Sequence, residues 1–155
     1  MPVGAWKFLH LLSAFYFVGA LTVSEWNARA LRGPADWPAR AALAGVVRRA
    51  LLVAALGALL LSGVAGNMLA VSLGYSMSGD GWLHAANGLW LVTVAVLIAL
   101  ALPAASKLAA VATAAAGGGP PDGWDAALAR LRAANVILAV LWLAMVGLMV
   151  FRWRS

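Results

Sequence analysis

Polar and apolar positions divide the chain into four long apolar blocks, at roughly residues 4–26, 50–72, 82–103 and 131–151, separated by stretches rich in arginine, glycine, serine or proline. Each block reaches the roughly 20 helical residues needed to cross a hydrocarbon core. The pattern predicts an all-α transmembrane four-helix bundle that fills residues 1–155 as a single domain, since lipid offers no water to satisfy an irregular backbone. A cleaved leader over residues 1–30 is the weaker reading. Ala28-Arg29-Ala30 is a small-x-small triplet, but the apolar run before it is long and its basic residues follow rather than precede it.

The charged positions orient this bundle. The segment from Asn27 to Arg49, read as a linker punctuated by Gly33-Pro34 and Pro38, carries Arg29, Arg32, Arg40, Arg48 and Arg49. A second linker, beginning after Pro103, carries Lys107, an alanine and glycine tract, then Arg130 and Arg132, with Asp122 or Asp125 available to cap the next helix. Between them, "SLGYSMSGDG" has no Lys or Arg. Eight basic residues therefore lie on one side and only Lys7, Arg152 and Arg154 on the other, so the positive-inside rule places both termini outward.

Composition agrees with this picture and narrows the chemistry. The chain is 65% hydrophobic and 10% charged, whereas soluble domains carry about 25% charged residues. Its net charge of +6 reads as membrane topology, with no nucleic-acid partner implied. With no cysteine, nothing depends on disulfides, and a metal site must use nitrogen, oxygen or methionine sulfur. Walker, dinucleotide-binding and nucleophile-elbow motifs are missing from the sequence.

The candidate chemistry lies with the two histidines, His10 in "WKFLHLLSAFYFVGA" and His84 in "GWLHAANGLW". Both fall in the outer third of their helices, at depths that agree within roughly 6 Å. Helical spacing runs from His10 through Ser13, Ala14, Phe17, Leu21 and Ser24, and from His84 through Asn87, Gly88, Leu91 and Ala95. Gly88 would leave space beside the His84 imidazole. Two imidazoles on facing helices can hold haem iron, and Lys7, Arg152 and Arg154 would meet the propionates. A histidine near a helix end can also be interfacial, or bonded to a neighbouring helix without a cofactor. Met68, Met145 and Met149 fall in the outer halves of helices two and four, where packing competes with thioether ligation.

Other polar positions read as structural. Glu25 is expected to pair with the arginine-rich segment after it, and Asn67, Asn87 and Asn135 to bond between helices; Asn87, on the His84 face, is also a candidate to orient His84 or contact a cofactor. Trp6, Trp82, Trp124 and Trp153 read as an interfacial belt. Gly57, Gly63 and Gly66 allow close helix approach or room for a ring.

Two segments carry a family resemblance. "WKFLHLLSAFYFVGA", with Trp6, Lys7, Leu9-His10 and Gly19, resembles the first helix of the HemJ and CopD-like clan of small bacterial membrane proteins. "GWLHAANGLW" is similar to the HemJ third helix, in which Trp-Leu-His is followed two positions later by lysine. The resemblance spans about 40 residues and implies haem b at His10, with His84 as second ligand or pocket residue, in a bacterial cytoplasmic membrane. HemJ proteins oxidise protoporphyrinogen IX, and CopD-like relatives are associated with copper handling. This chain has Ala86 in place of the lysine, and "ALTVSEWNARAL" after Gly19 in place of Leu-Pro-Arg-Leu-Phe.

Three functions follow as expectations. The first is bis-histidine haem b acting in electron transfer with a quinone or redox-partner protein. The second is a divergent protoporphyrinogen oxidase, and the third a copper-handling or assembly protein. A homo-oligomer is compatible with each.

Overall fold

A computed structural model describes residues 2–33, 36–76 and 79–151. Among the described residues all regular structure is helical: α1 (Val3–Ala30), α2 (Trp37–Ser72), α3 (Gly81–Ala116) and α4 (Trp124–Val150). All four are long and apolar enough to cross a membrane.

All four helices exceed the apolar blocks that predict them, α2, α3 and α4 by the most. Trp37 to Arg49, expected as linker, is the helical start of α2. Asp36 caps it by accepting from the Ala39 N–H at 2.8 Å, and Pro38 falls in the first turn, where its missing N–H costs nothing. α3 likewise continues past Pro103 to Ala116. A π-helical turn at Leu97–Ala101 immediately precedes this proline, and such local widening accommodates proline within membrane helices. A second π-helical turn occupies Ala50–Ala55 in α2. α4 begins at Trp124 rather than near residue 131. Gly123, with φ at +80°, supplies the left-handed turn before it, and no side chain caps the start.

Each helix packs on its neighbours in sequence, and α4 closes the ring against α1. The chain ends and the α2–α3 turn therefore share one end, the termini end. The α1–α2 and α3–α4 connections share the other, the arginine end. There the first half of α2 packs on the second half of α3 through buried Ala44, Val47, Ala105, Leu108 and Ala112. Small residues permit this close approach, which matters in lipid because tails are as apolar as the helix faces. Arg40 stacks beside Trp37 and Trp124, its guanidinium 4.6 and 5.7 Å from the ring centroids. Trp124, expected in an interfacial belt, is thus buried in the bundle.

At the termini end, the second half of α2 and the first half of α3 touch much less. The outward faces are apolar, with Phe15 71% and Val53 70% exposed. Together with the four spans, this surface marks a multi-pass membrane protein.

Candidate functional site

A cavity of about 240 Å³ occupies the termini end and takes walls from all four helices. His10 comes from α1, Ser62 and Asn67 from α2, Asn87 from α3, and Met145 from α4; Trp82, Trp90 and Trp142 supply aromatic wall.

The half-buried His10 ring is held by backbone. Its Nδ1 lies 2.9 Å from the Ser62 carbonyl oxygen and 3.4 Å from the Ser62 hydroxyl. A carbonyl only accepts, so Nδ1 carries the proton and donates it, and Nε2 keeps the lone pair. Nε2 has no hydrogen-bond partner among the described residues. The ring rests on Gly66, where a Cβ would come within 2.9 Å of Cε1 and Nδ1. Gly63 provides the same kind of notch for Trp90, whose ring a Cβ would meet at 2.4 Å. Trp90 is pinned there by its Nε1–H, which donates to the Leu59 carbonyl at 2.9 Å.

A pair of amides bridges the gap between α2 and α3. Asn67 Nδ2 donates to Asn87 Oδ1 at 2.9 Å, and Asn87 Nδ2 donates to Asn67 Oδ1 at 3.1 Å. Each Nδ2 also donates within its own helix, to Gly63 and Leu83 carbonyls at 2.9 and 3.0 Å. All four amide hydrogens are thereby engaged, which suits a site poor in water.

The structure therefore brings His10 and Asn87 to one cavity but leaves His84 and Gly88 out of it. Both are exposed, and Leu91 on the same face is 59% exposed. The inward face of α3 is instead Leu83, Ala86, Trp90 and Thr93. Neighbouring residues differ by about 100° around a helix, and the seating of Trp90 on Gly63 fixes the phase that turns His84 outward. No side chain meets the space beside Gly88, which lies outside the bundle. Asn87 faces Asn67 rather than His84. Lys7 is exposed near the start of α1, whereas Arg152 and Arg154 lie outside the described residues. Met145 and Met149 line the cavity, and Met68 points away, 48% exposed.

Sequence reasoning missed the Ser62 carbonyl, because a backbone acceptor leaves no mark in residue identity. Gly63 and Gly66 were legible as room for rings, although not which rings.

A second polar cluster sits toward the arginine end. Glu25 Oε1 accepts from Arg29 Nε at 2.9 Å, with Arg132 Nε 3.7 Å away. Its Oε2 accepts from Asn135 Nδ2 at 3.2 Å, and Asn135 Oδ1 accepts from the Ser24 hydroxyl at 3.2 Å. Glu25 thus pairs with basic residues, and Asn135 links α4 to α1, as expected of both. Among the described residues, no three His, Cys, Asp or Glu side chains gather to hold a metal ion. No family model, curated protein or solved structure matches the chain.

Proposed function

We propose that this chain holds haem b in the termini-end cavity through His10, without His84, and serves electron transfer with a quinone or redox-partner protein in a bacterial cytoplasmic membrane. The carrying observation is the Nδ1–H···O=C bond to Ser62 at 2.9 Å. Such a bond fixes the tautomer and orients Nε2, as carbonyl partners do for ligating histidines. Aromatic and apolar walls suit a flat macrocycle, and Met145 or Met149, which line the same cavity as His10, would supply a thioether donor. Lys7 is the candidate propionate partner, and the distribution of basic residues favours termini facing outward.

The residues fit the iron better than the whole ring. The cavity's 240 Å³ is below the roughly 300 to 1,000 Å³ of cofactor pockets, so it would enclose only part of a macrocycle. Haem would supply one-electron chemistry. The chain supplies the Nε2 lone pair, its orientation and a largely apolar surround. Ala86 lines the cavity where the HemJ pattern has lysine, which favours electron transfer over protoporphyrinogen oxidation.

A second reading is favoured by Met145 and Met149 sharing the cavity with His10. One imidazole and two thioethers are a soft donor set for Cu(I), and copper needs no more room than exists. An absorption spectrum and metal analysis of the purified protein decide between them. A reduced b-type spectrum with about one iron per chain supports haem. Colourless protein containing copper supports the second reading, and chain with neither metal contradicts both.

A further inference from the structure

A groove of about 410 Å³ runs between α1 and α4 and shares Trp142 with the His10 cavity. α1 and α4 are the most loosely packed pair of neighbouring helices. Trp26 and Val136 on its walls are 74% and 61% exposed, so it opens sideways toward lipid. Its α1 wall extends from Val18 to Arg29, roughly 16 Å at the helical rise. The Val18 end is apolar, whereas Thr22, Glu25, Arg29 and Asn135 make the other end polar.

The hydrogen-bond inventory indicates what that polar end can receive. The Glu25 carboxylate is engaged by Arg29 and Asn135. Arg29 uses Nε for that bond, while its Nη groups and the Trp26 indole N–H have no partner among the described residues. The groove thus offers donors beside a satisfied anion. An anionic head would face the Glu25 charge at close range, whereas a neutral acceptor would not. A flat ring also fits walls supplied by Trp26 and Trp142.

We propose that this groove binds the head of a membrane quinone, which enters between α1 and α4 with a ring carbonyl toward the Arg29 donors and its isoprenoid tail in lipid. The groove lies within the usual ligand-pocket range of roughly 300 to 1,000 Å³. The choice of a quinone over another neutral amphiphile rests on the electron-transfer reading of the His10 cavity; the groove itself does not.

The test is labelling of the full-length protein in lipid nanodiscs with a photoreactive short-chain benzoquinone, followed by peptide mapping and a binding titration. Label is expected on residues 18–29 and 135–142. Ala139→Trp, which fills part of the groove, should weaken binding about tenfold. Trp26→Ala, at an exposed position, should weaken it roughly two- to tenfold and covers the case in which the filled groove fails to fold. Both variants should leave any His10-dependent spectrum unchanged. Label outside the groove, unchanged affinity in a folded Trp26→Ala variant, or competition by oleate but not by unlabelled quinone would overturn the proposal. Colourless protein that still labels in the groove supports this site while contradicting haem at His10.

Discussion

At the arginine end, α2 and α3 meet through alanines. Ala44, Ala105 and Ala112 are fully buried, so small faces small and the backbones approach. At the termini end the same helices meet through a ring and a notch, Trp90 from α3 resting on Gly63, while His10 from α1 rests on Gly66 across the neighbouring α1–α2 interface. A ring spanning to the opposite backbone sets a larger spacing than a methyl group, and the unfilled remainder is the cavity. Because lipid supplies little hydrophobic drive between helices, interface shape decides where a membrane bundle closes and where it stays open.

The comparison breaks first at Gly63. Gly63→Ala puts a Cβ 2.4 Å from a Trp90 ring atom, and Trp90 cannot swing away without losing its bond to Leu59. The expected cost lies near the top of the roughly 1 to 3 kcal/mol typical of overpacking, measured by reversible unfolding in mixed micelles. Trp90→Leu in the same chain should recover most of it. Unchanged stability in the single variant would mean that the notch does not set the spacing.

Ala105→Leu probes the closed end. It should cost about 1 kcal/mol or somewhat more, yet leave any His10-dependent spectrum unchanged. A folded variant in which that spectrum is lost would show that the two ends are not independent.

The smallest effect concerns the amides that tie the open end. A double-mutant cycle with Asn67→Leu and Asn87→Leu should give a coupling of about 0.6 kcal/mol, and no more than about 1.7, as for other hydrogen bonds within membranes. A coupling indistinguishable from zero would remove the reciprocal pair from the account.

The four helices were legible because each apolar block is long and nearly free of charge. Their true lengths were not, since the alanine-rich and arginine-bearing starts and ends resemble linkers in hydropathy. Pro38 marks a helix start and Pro103 follows a π-helical turn, so two apparent breaks lie inside helices. In the site, His10 and Asn87 were legible as polar residues in apolar helices. The phase of α3 was not: several faces of this helix combine apolar and small residues, and pattern alone could not favour Leu83, Ala86 and Trp90 over His84, Gly88 and Leu91. That choice depends on a long-range contact between Trp90 and Gly63.

The central claim is that one histidine, not two, serves the cavity. Absorption spectra of purified His10→Ala and His84→Ala proteins, compared with the parent at equal folded concentration, test it directly. The account predicts a b-type spectrum that is lost in His10→Ala and retained at full intensity in His84→Ala. Equal loss in both variants, or retention in His10→Ala, would contradict it.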